Sequence, residues 1–338
     1  MWTCALPGAE PAKPLSLIAF GSCARQDRPQ PIWEAIVAAN PELFLFIGDT
    51  VYADSNDMDV KRAKYAELKA QPGYRKLQAA CPVLATWDDH DFGWNDCGAE
   101  YPKKVESQKV FLDAFDEPAE SARRKQAGIY TARCFGPEQR RVQVILLDTR
   151  YFRSALVPNK NKEPGQGPYL PNPDAKAALL GEEQWTWLAA QLQEPAQVRI
   201  VASSIQLVAE EHGWEGWANF PLERERLFKL LAQTRAGGVV FISGDRHTAE
   251  LSVEAEAAGY RIYDLTSSAL NQFRGESREK NRHRIGKVYG KSNFGLLRIN
   301  WNAADPALTL QICDVEGKAQ LEQKVNLSAL QPKAGQPK

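Results

Sequence analysis

The sequence lacks the features that mark several large classes of protein. No run of about 18 apolar residues occurs in the chain, so we predict that no helix crosses a membrane. The start shows no positively charged segment followed by an apolar one, the pattern of a secretory signal peptide. Neither sign of charge is in excess, because lysine plus arginine and aspartate plus glutamate both total 42. The zero net charge gives no indication of a sequence-specific nucleic-acid partner.

Cysteine is also scarce, and none of the six residues forms a CxxC pair or the spacing of a zinc knuckle. Cys4 is followed by small residues and proline, as in the tether of a bacterial lipoprotein after its acylated cysteine. One interpretation is a lipid anchor at Cys4 on a periplasmic or extracellular protein whose signal peptide has been removed. The other is an N-terminus with an incidental cysteine, which leaves a cytoplasmic location open.

The composition is that of a globular protein, with 43% apolar and 25% charged residues. The length of 338 residues suits one large α/β domain or two small ones. No internal repeat or linker-like break interrupts the chain. We therefore predict an N-terminal tether at residues 1–14, a single domain at 15–330 and a C-terminal tail at 331–338.

Buried strands and amphipathic helices alternate along the first two thirds of the chain. Beyond about residue 249, apolar and polar residues alternate as they do in antiparallel strands. These patterns predict a layered α/β domain whose strands are mostly parallel early and antiparallel late. The predicted strands lie at residues 15–23, 43–54, 81–90, 141–153, 198–208 and 238–247, and the predicted helices at 31–41, 58–71, 107–118 and 181–192.

Polar motifs follow five of these strands: GSC at 21–23, GDTVYAD at 48–54, WDDHD at 87–91, LDTR at 147–150 and SGDRH at 243–247. Each motif alone is compatible with a turn, a helix N-cap or a small core residue. In open α/β sheets, however, ligands bind at the carboxyl ends of the strands. Together the motifs therefore predict one polar crevice.

The stretch WDDHDFGWND, residues 87–96, contains four aspartates and neither lysine nor arginine. Carboxylates brought so close together repel one another and are costly to bury unless positive charge lies among them. Aspartate, histidine, tyrosine and cysteine are ligands of a metal site of mixed hardness. Two metals roughly 3.5–4 Å apart lower the pKa of a water and stabilise an in-line phosphoryl displacement. The motifs thus favour a two-metal site.

The five motifs, in this order and each at a strand end, resemble those of the alkaline phosphatase D family. That family belongs to the calcineurin-like and purple-acid-phosphatase-like metallophosphoesterases. The resemblance extends from about residue 15 to about residue 270. It implies a calcineurin-like fold, a layered β-sandwich of mixed sheets flanked by helices. It also implies hydrolysis of a small phosphate ester by a metal-bridging hydroxide, with Fe(III) and one or two Ca(II) as cofactors and Zn, Mn or Mg as alternatives.

The resemblance also implies which residues bind the first metal, taken as Fe(III). Cys23 stands where relatives in the wider superfamily open with Asp-x-His, and Asp49 would bridge both metals. Tyr52 would bind iron as a phenolate. His247 takes the second position of the superfamily's closing Gly-His-x-His.

The second metal would be bound by oxygen ligands. Asp89 stands where the superfamily has the asparagine of a Gly-Asn-His motif, and Asp245 takes the first position of the closing motif. Asn95 would supply an amide oxygen to calcium.

Further residues are expected to contact the substrate. His90 corresponds to the histidine of the Gly-Asn-His motif and would protonate or hydrogen-bond the leaving group. Arg150 is a candidate phosphate clamp, because guanidinium binds phosphate in a bidentate manner. Arg246, Arg25 and Asn219 are further candidates for contact with phosphate.

Two alternatives stay open from the sequence. The same scaffold would also suit a phospholipase D-like enzyme or a nucleotide phosphodiesterase. A non-catalytic protein that binds a phosphate ligand is the other alternative, and the complete set of ligand residues argues against it.

Overall fold

The computed structural model describes residues 13–163, 165–275, 277 and 279–333. The lipid anchor predicted at Cys4 lies outside these residues. None of the helices described is long and apolar enough to cross a membrane.

The described chain forms fifteen strands and seven α-helices. The strands are β1 Leu17–Gly21, β2 Leu43–Ile47, β3 Val83–Thr86, β4 Thr131–Phe135, β5 Val142–Leu146, β6 Val157–Pro158, β7 Tyr169–Leu170, β8 Val198–Ala202, β9 Val239–Ser243, β10 Ala249–Glu254, β11 Ile262–Ser267, β12 Arg284–Tyr289, β13 Phe294–Asn300, β14 Ala307–Cys313 and β15 Ala319–Asn326. The helices are α1 Ile32–Ala38, α2 Met58–Ala70, α3 Pro72–Ala80, α4 Asp89–Phe92, α5 Lys104–Ala114, α6 Glu182–Gln193 and α7 Pro221–Thr234.

Two mixed sheets form the body of the fold. The first has the order β15-β14-β13-β1-β2-β3 and the second β12-β10-β11-β9-β8-β5-β4. In the first sheet β1, β2 and β3 are parallel, and in the second β5, β8, β9 and β11 are parallel. The predicted fold class, mixed sheets flanked by helices, is confirmed. The late strands are not all antiparallel as predicted, because β11 pairs in parallel with β9.

Alternation along the strands divides the core into two clusters. On β2, Leu45 and Ile47 pack into a cluster shared with residues of β5, β8 and β9, which places it between the two sheets. Phe44 and Phe46 of the same strand pack with Trp33 of α1 and Tyr74 of α3. The first sheet is therefore buried on both faces, which explains why its central strands read as continuous apolar runs.

One helix differs from the sequence interpretation for a simple reason. The Pro-Gly pair at 72–73 predicts the end of the helix at 58–71, and α2 does end at Ala70, but Pro72 also begins α3, a helix that the sequence pattern does not predict. Proline is well tolerated in the first turn, where its missing N–H would have no intrahelical partner.

The carboxyl ends of strands from both sheets meet at one edge. Thr86 at the end of β3 donates a hydrogen bond of 2.7 Å to the carbonyl of Leu147, which follows β5. The amide of Ala24 donates to the carbonyl of Asp49 at 3.0 Å, joining the segments after β1 and β2. This edge brings the polar motifs together.

Candidate metal centre

The backbone turns sharply where the motifs leave their strands. Cys23, Asp49, Asp245 and His247 have φ angles of 59°, 48°, 66° and 55°. This left-handed conformation costs roughly 1–2 kcal/mol for a residue with a side chain, and such strain concentrates at functional sites. Gly48, at φ 101°, could not carry a Cβ, which would lie 2.6 Å from the Cβ of Asp88.

The first group of donor atoms belongs to Cys23, Asp49 and His247, and these atoms lie within 4.8 Å of one another. The Cys23 thiol is 3.4 Å from Asp49 Oδ2. The Tyr52 hydroxyl lies 3.1 Å from the same carboxylate oxygen and 3.2 Å from His247 Nε2. All four side chains are buried. The structure thus brings together the four residues expected around the first metal.

Two further groups of donor atoms are linked to the first as a chain, each sharing one residue with the group before it. Asp49, Asp89 and His90 form one, and Asp88, Asp89 and Asp245 form the other. Asp49 belongs to two groups and so does Asp89. A carboxylate shared in this way has the position that a bridging ligand requires, since each of its oxygens can face a different cation.

The chemistry of the site fits bound cations. Asp49 Oδ1, Asp88 Oδ2 and Asp89 Oδ1 are buried and have no hydrogen-bond partner among the described residues. A buried polar atom without a partner is costly, and a carboxylate oxygen more so. Burial raises the pKa of the Asp49 carboxyl well above its ordinary value, and neighbouring Asp89 and Asp88 raise it further. Cations between these oxygens would give the unpartnered oxygens a ligand and would offset the burial and mutual repulsion of the carboxylates.

The stability of the metal-free protein should depend on pH through Asp245. Burial raises the pKa of this carboxyl from 3.8 to about 7, and Asp89 adds to the rise against the opposing effect of Arg246. A carboxyl with a raised folded-state pKa contributes stability that is present below its unfolded pKa and is lost as the pH rises through 7. In chelator, the free energy of unfolding should therefore fall between about pH 4 and pH 7, by an amount on the order of a few kcal/mol.

Urea denaturation across this pH range would measure the effect, with Asp245→Asn as the matched variant. Asparagine does not titrate and tolerates the left-handed conformation of this position. The free energy of unfolding of the variant should fall less steeply with pH than that of the parent protein. Identical slopes would show that Asp245 does not titrate as described.

His90 lies between the metal ligands and the surface. Its Nδ1 is 2.8 Å from Asp54 Oδ1, and its ring lies against that of Tyr52 with centroids 4.3 Å apart. Burial lowers the pKa of His90, but the carboxylates of Asp89 and Asp54 outweigh it and raise the pKa from 6.5 to about 10. Asp54 thus holds the imidazole in place.

The predicted phosphate clamp at Arg150 is wrong. The side chain of Arg150 is 0% exposed, and its guanidinium donates to Asp88 Oδ1 at 2.6 Å and to both carboxylate oxygens of Glu215 at 2.7 and 2.8 Å. Arg153 pairs with Glu215 at 3.0 Å. Because its partners are internal carboxylates, Arg150 neutralises the wall of the site rather than facing the substrate.

The other predicted substrate residues have varied surroundings. Arg25 is partly exposed, pairs with Asp27 at 2.8 Å and lies 5.2 Å from the centre of the Tyr52 ring, which places it at the rim. Arg246 is buried and pairs with Glu279 at 2.7 Å. Asn219 is buried, and its carboxamide oxygen accepts from the amide of Gly216 at 2.8 Å, a local role in the turn.

Asn95 is not positioned as a buried ligand. Its side chain is exposed in the loop after α4. The amide of the next residue, Asp96, donates to Asp89 Oδ2 at 2.7 Å. The loop therefore supports Asp89 through its backbone, and Asn95 is left out of the proposed ligand set.

Sequence reasoning missed several residues that shape the site. Asp54 lies within the GDTVYAD motif, so its position at a strand end could have indicated it. The Cys23 thiol has a hydroxyl partner, Ser268, at 3.1 Å. Arg274 donates from Nε to His247 Nδ1 at 3.2 Å. Ser268 directly follows β11, so its position at a strand end could have indicated it as well. No pattern in the sequence links Glu215 or Arg274 to the motifs, since both lie within loops.

Comparison with known proteins finds similar phosphatases. Alkaline phosphatase D of Bacillus subtilis (strain 168) is 24% identical over 224 residues, 60% of this chain and 38% of that protein. The chain thus spans less than half the length of this curated relative. A structure of PhoD is similar with a TM-score of 0.70 and 17% identity, over 97% of this chain and 74% of that one. A dimetal phosphatase from Danio rerio has a TM-score of 0.58 and 11% identity, over 93% of this chain and 100% of that one.

At these identities the two structural likenesses show a shared fold. The family assignment rests on a model of the PhoD-like phosphatases, which matches residues 18–284 and so covers most of the strands and all the residues of the metal centre. The chain belongs to the PhoD-like phosphatase family.

Proposed function

We propose that the protein is a metal-dependent phosphoric ester hydrolase that acts on small phosphomonoesters or phosphodiesters. The observation that supports this most directly is the sharing of Asp49 between two groups of donor atoms, with Asp89 shared between two as well. Two cations held by these groups would lower the pKa of a water and stabilise negative charge on the phosphoryl oxygens.

The donor types support a particular pair of metals. Cys23, Tyr52 and His247 with Asp49 offer sulfur, phenolate, imidazole and carboxylate, a set suited to Fe(III). Asp89 and Asp245 offer only carboxylate oxygens, which hard cations such as Ca(II) prefer. We propose Fe(III) and Ca(II) for these sites.

Side chains near the metals would orient the substrate and protonate its leaving group. His90 is held by Asp54 through Nδ1, which leaves Nε2 as the atom able to donate a proton to the departing alkoxide. Arg25 at the rim carries a partly exposed guanidinium that can attract an anionic ester. The ring of Tyr52 packs against His90 and limits its movement.

The test is elemental analysis of the purified protein, combined with hydrolysis of p-nitrophenyl phosphate and bis-p-nitrophenyl phosphate. We expect bound iron and calcium, a visible charge-transfer absorption from the Tyr52 phenolate, and activity that chelator removes and added metal restores. The variant Tyr52→Phe should lose the absorption because it lacks the phenolate. Full activity in metal-free protein would overturn the proposed function, and colourless active protein without iron would overturn only the choice of iron.

We further propose a periplasmic or extracellular location with a lipid anchor at Cys4, which the small residues and proline after this cysteine support. Mass spectrometry of the protein from its native membrane fraction would detect an acylated cysteine. An unmodified Cys4 in that material would contradict the anchor.

A further inference from the structure

A pocket of about 370 Å³ adjoins the candidate metal centre. Two of its lining residues flank His247 in the chain, and a third, Arg274, contacts the His247 ring. A Cβ added at Gly275 would meet no atom within 4 Å, so the pocket is open there. The lining includes Trp214, Arg246, Thr248, Arg274, Gly275 and Glu279.

The charge of this pocket is unbalanced. Arg246 is buried, and its Nη2 is 2.7 Å from Glu279, so its charge is largely compensated. Arg274 is exposed, and among the described residues its two Nη atoms have no hydrogen-bond acceptor. Within the described part of the lining, Arg274 therefore presents a guanidinium whose Nη donors have no acceptor.

Trp214 gives the two arginines a fixed support. The guanidinium carbon of Arg246 lies 5.3 Å from the centre of the indole, and that of Arg274 lies 4.8 Å from it. Cation–π contact restrains a flexible side chain without occupying its N–H groups. A fork restrained in this way loses less entropy when it binds an oxyanion.

We infer that this pocket binds a second phosphate group of the substrate, with Arg274 as its main ligand. The inference rests on the proposed function, because it places the reacting phosphate at the metal centre and the second one in the pocket. A fork of guanidinium N–H donors matches the oxygens of phosphate. Phosphoesters whose alcohol part carries another phosphate should thus be preferred over those that carry none.

Fructose 1,6-bisphosphate and fructose 6-phosphate form a suitable pair of substrates, since they differ by one phosphate. The metal-loaded enzyme should have the higher kcat/KM on the bisphosphate. Charge-assisted hydrogen bonds are strong enough that Arg274→Gln should lower the ratio of the two kcat/KM values about tenfold. Using the ratio cancels any effect that loss of the His247 contact has on the metal centre, and Arg274→Lys should restore part of the preference.

Arg298→Gln is the matched control, because it removes an exposed guanidinium that bonds to Gln311 outside the pocket. Its ratio should equal that of the parent enzyme. An unchanged ratio in Arg274→Gln, with both substrates still hydrolysed, would overturn the pocket and leave the proposed function intact.

Calorimetric titration of the chelator-treated protein with inorganic phosphate tests the pocket independently of the proposed hydrolase function. Phosphate should bind, and Arg274→Gln should weaken it about tenfold. If the metal-loaded parent hydrolyses neither the sugar phosphates nor the two p-nitrophenyl esters, the proposed function fails while this titration still decides whether the pocket binds phosphate. Absence of phosphate binding in the parent, or equal affinity in the variant, would overturn the inference that this pocket binds phosphate through Arg274.

Discussion

Asp49→Asn is expected to lower kcat/KM on phosphate esters by at least about 10³-fold, because the metals contribute several kcal/mol of transition-state stabilisation. The carboxylate is shared by two groups of donors, and a neutral amide cannot offer two anionic oxygens. Asparagine is close in shape to aspartate and tolerates the φ of 48° at this position, so the fold should persist.

Stability without metal provides the second half of this test. In chelator the variant should be at least as stable as the parent, since burial and the neighbouring aspartates disfavour a charged Asp49. Calcium and iron should raise the melting temperature of the parent and have a smaller effect on the variant. Asp59→Asn is the control, because its side chain is 88% exposed on α2. Retained activity in Asp49→Asn would contradict the bridging role.

Arg150→Met is expected to lower the free energy of unfolding by about 3–5 kcal/mol, the cost of leaving a buried charge without its partner. Asp88 and Glu215 would lose the guanidinium that now lies between them, at 2.6 and 2.7 Å. Methionine fills a similar length of the buried space, so the loss would come mainly from charge rather than from a cavity.

Urea denaturation in chelator would measure this loss, with Arg226→Met as the control. Arg226 pairs with Glu182 on the surface at 2.5 Å, and its side chain is 41% exposed. Exposed pairs contribute about 0–1 kcal/mol, so the control should change little. A loss below about 1 kcal/mol in Arg150→Met would mean that Asp88 and Glu215 find another partner or become neutral.

The sequence carries enough information to bring together the candidate metal ligands because these residues follow strands. Apolar runs identify the strands, and parallel strands present their carboxyl ends at a common edge. Cys23, Asp49, Asp89, Asp245 and His247 all follow this rule. What the rule cannot provide is which way a side chain turns after the strand ends, and for that reason Arg150 was expected to face the substrate.

The partners that decide these orientations come from loops remote in sequence. Glu215 is 65 residues away from Arg150, and nothing in its local pattern indicates burial among arginines. The fold shows the same division. Long periodic segments such as α2 and α6 were predicted closely, whereas α3 was not, because proline both ends and begins helices.

The two sheets contribute the proposed metal ligands unequally, and this affects how the protein would unfold. Cys23, Asp49 and Asp89 follow strands of the first sheet, whereas Asp245 and His247 follow β9 of the second. A cation bound by residues from both sheets would cross-link them. The sheets could then not separate until the cation had dissociated. Bound metal would then act mainly by slowing unfolding, giving the protein a kinetic lifetime longer than its packing alone would set.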